Sequence, residues 1–125
     1  MLINRSFEKA DEAINTAKSN IENGFLYAAQ NRIYYAMFYA VVALGYFYNF
    51  TSYKHRQYLG WFNKKFVYTE KIFDEKLFKL YKEAYGNRQK SDYEFMWKPV
   101  KEDVLNDLNE SIIFVETIRT HINKS

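Results

Sequence analysis

Arg88, Asp92 and Tyr93 fall close together in the run Asn87-Arg88-Gln89-Lys90-Ser91-Asp92-Tyr93. A guanidinium can hold a phosphate through two parallel hydrogen bonds, and a phenol can add a third or stack on a base. Arg88 is therefore the first candidate for binding RNA or a nucleotide. It could also stabilise charge building on phosphorus during cleavage. Asp92 lies one helical turn on. There it either orients Arg88 or forms an ordinary surface pair worth about 0.3–0.5 kcal/mol. An acid beside a phosphate repels it, which favours the structural role for Asp92. Tyr93 is a candidate to donate a hydrogen bond or handle a proton, against the commoner role of a half-buried aromatic.

His55 stands between Lys54 and Arg56. Two neighbouring cations lower an imidazole's pKa, which suits a base for proton transfer. A surface or capping histidine is the competing reading. Lys54, Arg56 and Lys90 join Arg88, Asp92 and Arg32 as candidate contacts to an RNA backbone. The runs Tyr53–Tyr58 and Trp61–Lys65 interleave aromatic and basic residues, the combination that grips single strands. Each basic cluster alone also reads as the solvated face of a helix. Arg32 precedes an uncharged stretch, and an inward-facing Arg requires a partner. Asp92, or Glu12, is the expected one. His121 reads as a favourable charge at a helix end. With two His, no Cys and no helical Glu/His pairing at ligand spacing, no metal site and no cofactor are expected.

The elements that must position these groups follow from one segment. From Ile33 to Tyr53 the chain carries no charge for 21 residues, and about 20 can cross a bilayer. Tyr34, Tyr35, Tyr39, Tyr46, Tyr48 and Tyr53 are spread throughout it, whereas Tyr belongs to interfacial belts. Asn49, Thr51 and Ser52 add polarity. The segment therefore reads as a helix enclosed by other helices, with no membrane association.

Its neighbours have helical periodicity. Phe7, Ala10, Ile14, Ala17 and Ile21 define a first helix from Ser6 to Asn23, with Asn23-Gly24 as a left-handed stop. The second helix runs from about Phe25 to Asn49. A third follows the Asn49–Tyr53 connection, capped by Thr51 or Ser52, with Tyr58, Leu59, Phe62 and Phe66 inward. Asp74 caps a fourth, with Leu77, Leu80, Tyr81 and Ala84 inward and Glu75–Lys79 and Lys79–Glu83 pairs outside. Gly86 within it either permits close approach or loosens the last turn. Pro99 suits the first turn of a fifth, whose stripe is Val104, Leu108, Ile112, Val115, Ile118 and Ile122. The fold class is thus all-α: an antiparallel up-and-down bundle of four long helices plus a shorter one, forming a single domain over residues 1–125.

A chain of 125 residues with 12 Tyr, 11 Phe and 2 Trp has an aromatic core, and some aromatic surface is left for a partner. A net charge of +3 is too weak for a protein that coats DNA. The absence of Cys excludes disulfides and thiolate chemistry. With no apolar N-terminal leader pattern, a cytoplasmic location is expected.

The string Asn31-Arg32-Ile33-Tyr34-Tyr35-Ala36-Met37-Phe38, then His55 opening the next helix, then Arg88-x-x-x-Asp92-Tyr93, resembles the HEPN domain superfamily. The closest likeness is to the small stand-alone branch with Arg-x-Tyr-Tyr-Ala-Met-Phe and Arg-x-x-x-Asp-Tyr motifs, and it covers nearly the whole chain. The resemblance implies a helical homodimer, one half of a toxin–antitoxin or defence pair, often with a minimal nucleotidyltransferase as partner. Many such relatives are metal-independent ribonucleases in which an Arg is followed, after a short spacer, by a His. Here Tyr93, Glu94 and Phe95 occupy the expected His positions. In some relatives a Tyr just beyond that motif is adenylylated, and Tyr93 lies near that position. Two functions follow: RNA or nucleotide binding at Arg88, with or without cleavage, or a non-catalytic module that docks the nucleotidyltransferase.

Overall fold

The computed structural model describes residues 1–125 as five α-helices without strands: α1 (Leu2–Glu22), α2 (Leu26–Phe47), α3 (His55–Phe62), α4 (Glu75–Tyr93) and α5 (Lys101–Asn123). A π-helical segment, Asn63–Thr69, extends α3. The four long helices pack antiparallel. No helix is long and apolar enough to cross a membrane.

The uncharged helix α2 is central and packs against α1, α3, α4 and α5. Ala36, Met37, Ala40, Val41, Ala43 and Leu44 are all buried, as a helix without a polar face requires. α1 lays a stripe containing Phe7, Ala10, Ala13, Ile14, Ala17 and Ile21 against this core. Its alanines bring the two backbones close. The remaining core is aromatic: Phe62, Phe66, Tyr81 and Phe114, from the α3 region, α4 and α5, are wholly buried.

Both ends of the α1–α2–α3 path close in one way. Gly24 takes φ +78, and Phe25 N–H reaches Asn20 O at 2.7 Å, the Schellman closure. At the end of α2, Asn49 takes φ 60, and Phe50 N–H donates to Gly45 O at 2.8 Å. Asp74 caps α4 by accepting from Lys76 N–H at 2.9 Å, as its sequence position implies.

Several local expectations change. Neither Thr51 nor Ser52 caps α3. Lys54 occupies the cap position without a side-chain bond, while Ser52 Oγ accepts from Lys54 N–H just before the helix. Pro99 precedes the Val100 cap of α5 rather than lying in its first turn. The Glu75–Lys79 and Lys79–Glu83 pairs are not among the ion pairs, which instead join Arg119 to Asp11 and Lys65 to Glu70. A Cβ at Gly86 would meet no atom within 4 Å, so no close approach requires this glycine. Gly86→Ala should therefore stabilise the fold by about 0.5–1 kcal/mol. Thermal denaturation would register a rise of a few degrees; a fall would show that the residue serves some other contact.

Candidate phosphate-binding site

Tyr34 and Tyr35 are consecutive on α2 and so diverge around it. Tyr34 turns into the core with no exposed surface; Tyr35 is half-buried. Around this pair the chain gathers three basic groups from three helices. Arg32, on α2, sets its Cζ 4.9 Å from the Tyr35 ring centroid. Arg88, on α4, sets its Cζ 5.5 Å from the same ring and 5.4 Å from that of Tyr34. His55, the first residue of α3, lies edge-on to Tyr35 at 5.5 Å between ring centroids. Guanidiniums favour such positions because the ring face is electron-rich.

His55 is firmly seated. Its Nδ1 is 2.9 Å from Tyr34 Oη, and its ring stacks on Phe38 at 3.9 Å and 17°. Burial lowers its pKa from the ordinary 6.5, and the nearby Arg88 charge lowers it further. The ring is therefore neutral at pH 7. Burial pushes the Tyr34 phenol well above its usual range, and Arg88 opposes that only in part. Tyr81 stacks parallel to Tyr34 at 6.3 Å, and its hydroxyl is buried without a hydrogen-bond partner.

Arg88 is weakly engaged. Its one ion-pair partner, Asp92, stands at 3.4 Å from Nε, but Nε itself has no hydrogen bond. Burial of an unsatisfied guanidinium N–H costs free energy that an anionic ligand would recover. Arg32 departs from expectation: neither Asp92 nor Glu12 pairs with it. Its Nε and Nη2 donate instead to Asn31 Oδ1, at 3.1 and 2.8 Å, which leaves its charge uncompensated by any carboxylate.

The other candidates are dispersed. Tyr93 ends α4 with its side chain largely in solvent, and Lys54, Arg56 and Lys90 are exposed. His121 is more than a helix-end charge, since its Nε2 lies 2.7 Å from Tyr48 Oη. No three His, Cys, Asp or Glu side chains assemble where they could hold a metal ion. Sequence reasoning passed over Tyr34 and Tyr35 as site residues. Their signal was their place directly after Arg32 in the string that carried the family resemblance.

Residues 3–122 match the HEPN domain family. The chain belongs to that family. Among HEPN relatives, the Methanocaldococcus jannaschii protein named "Putative toxin MJ0142" is 31% identical over 120 residues, covering 96% of this chain and 81% of its own. The Thermotoga maritima "UPF0332 protein" is 34% identical over 110 residues, covering 88% of this chain and 83% of its own. In this HEPN domain the basic cluster is thus built by the central helix and the starts and ends of its two neighbours.

Proposed function

We propose that this HEPN domain is one component of a toxin–antitoxin or defence pair and binds RNA or a nucleotide through phosphate at Arg88 and Arg32. The observation that carries the reading is the convergence of two guanidiniums from different helices on Tyr35, one with an unsatisfied N–H and the other without a carboxylate. Kinship with a relative named as a toxin supports it. In a homodimer, two such clusters facing one cleft would grip successive phosphates. If the RNA is cut, Arg88 stabilises the charge on phosphorus, and His55 or Tyr93 handles the proton during attack by the 2′-hydroxyl.

A second reading is a non-catalytic module that docks a nucleotidyltransferase. It is favoured by the exposed apolar residues Tyr93, at the end of α4, and Phe95, Met96 and Val100 beyond it. Tyr27 lies beside them, donating to Trp97 O at 3.0 Å.

One experiment separates them: binding and metal-free cleavage of single-stranded RNA by wild type and Arg88→Ala. Loss of a charge-assisted contact of about 1.5–3 kcal/mol should weaken binding roughly ten- to hundredfold. A modest change in melting temperature should accompany it, since an i,i+4 pair contributes little. Equal RNA affinity in both proteins, with no cleavage by either, leaves the docking module alone.

A further inference from the structure

Resting on the phosphate-binding reading, we infer that His55 is the third phosphate ligand of this site, that Tyr34 positions it, and that binding RNA is accompanied by uptake of one proton on the imidazole. Three basic groups surround Tyr35, but only two carry fixed charge. Asp92, 3.4 Å from Arg88 Nε, offsets one of these. The free site therefore has little net charge, and an arriving phosphate shifts the balance towards a cationic third partner.

The hydrogen bonding is arranged for that change. In the neutral ring with its proton on Nε2, Nδ1 accepts from the Tyr34 hydroxyl, 2.9 Å away. Stacking on Phe38 fixes the ring plane, so Nε2 has a constant direction. When phosphate binds, a proton from solvent adds to Nδ1, and the bond to Tyr34 reverses, with Nδ1–H now donating to Tyr34 Oη. The phenol hydrogen then turns towards Tyr81, which lies parallel at 6.3 Å and whose buried hydroxyl lacks a partner. No phenolate forms. Burial keeps both phenols protonated, so the proton has to come from solvent.

The charged and titratable groups around His55 all agree with this direction. Tyr34 and Tyr35 face it from α2, and Arg88 faces it from α4 with Tyr85 behind Tyr34. Lys54 and Arg56 flank it in sequence. The one carboxylate nearby, Asp92, is paired with Arg88, and the other charged members of the set are cationic, so burial and these cations keep the ring neutral until a phosphate arrives. Phosphate monoesters and diesters are the ligand class this arrangement suits, and RNA affinity should rise as pH falls.

Calorimetric titration of wild type with a single-stranded oligoribonucleotide, in two buffers of different ionisation enthalpy near pH 7, should register fractional proton uptake. Affinity should climb by up to tenfold per pH unit below neutrality. His55→Gln should bind at a level that does not vary between pH 6 and 8. In the free protein, the His55 ring resonances followed by NMR should titrate below 6.5 in wild type and move further down in Tyr34→Phe, because the imidazolium loses its charge-assisted bond to Tyr34 Oη, which is stronger than the bond the neutral ring loses. Undiminished, pH-dependent binding by His55→Gln, or no proton uptake by wild type, overturns the inference while leaving phosphate binding at Arg88 intact. An unchanged titration in Tyr34→Phe overturns the positioning role. Absence of RNA binding by wild type overturns this inference and the function it rests on together.

Discussion

Phe62→Ala should cost about 3–5 kcal/mol, a large share of the 5–15 kcal/mol by which domains are stable. Phe62 has no exposed surface and is the meeting point of the aromatic core. It stacks on Phe73 at 5.6 Å and 11°, meets Tyr81 edge-on at 5.7 Å, and lies 5.6 Å from Phe114. These neighbours come from the turn before α4, from α4 and from α5. Each is held by further contacts, so the space left behind cannot collapse and the cavity penalty adds to the lost transfer energy. In urea, the unfolding midpoint should fall with little change in slope. Phe62→Leu, which keeps most of the volume, should lose well under half as much. A loss below about 1 kcal/mol for the alanine variant would mean that the core is looser than this packing implies.

The second large effect comes from a single methyl group. A Cβ at Gly45 would stand 2.5 Å from Phe50 O and 3.2 Å from Tyr58 Cε1. The first of these is backbone and cannot rotate away. Gly45 also accepts the hydrogen bond that closes α2, so clash and closure coincide. Gly45→Ala should destabilise by roughly 2–3 kcal/mol, in the range for overpacked sites, despite alanine's better helix propensity. The displaced chain leads directly to Lys54 and His55, so RNA affinity should fall along with the melting temperature. Paired with Gly86→Ala, the same substitution in two helices should give effects of opposite sign. If Gly45→Ala proved neutral in thermal denaturation, the close approach of Phe50 to α2 would be disproved.

Much of this architecture is legible in the sequence, for reasons visible in particular residues. A charge-free span dense in tyrosine has to lie among other helices, and α2 does. The 3–4 spacing of Phe7, Ala10, Ile14, Ala17 and Ile21 placed α1, although its start at Leu2 precedes the expected Ser6. The Asp74 cap and the Gly24 stop were read from residue type alone, because each satisfies a local requirement. The π-helical segment was not legible. Phe62 and Phe66 keep a helical spacing whether or not an extra residue is accommodated between turns, and Asn63–Thr69 contains no Pro or Gly to mark the change.

The site divides along the same line. Arg88 and Asp92 are one turn apart, so their proximity follows from the helix. The meeting of His55 with Tyr34 spans 21 positions and depends on how α3 returns over α2, which no local pattern encodes. The partner of Arg32 differs from the expected carboxylate for a related reason. An inward Arg needs compensation, but Asp92 is taken by Arg88, and Asn31 together with the Tyr35 ring holds the Arg32 guanidinium instead.

Tyr34 and Tyr48 sit about 21 Å apart along α2 at 1.5 Å per residue, and each is tied to a histidine of a different helix. A rod greasy on every side has little to stop it sliding lengthwise in its sheath, since one apolar turn replaces another at small cost. Two phenol–imidazole latches, one in the first half of the helix and one at its C-terminal end, each tolerant of no more than a fraction of an ångström, remove that freedom. One of the two pairs, Tyr34–His55, belongs to the candidate site, so polar atoms gathered there also keep the innermost helix from slipping.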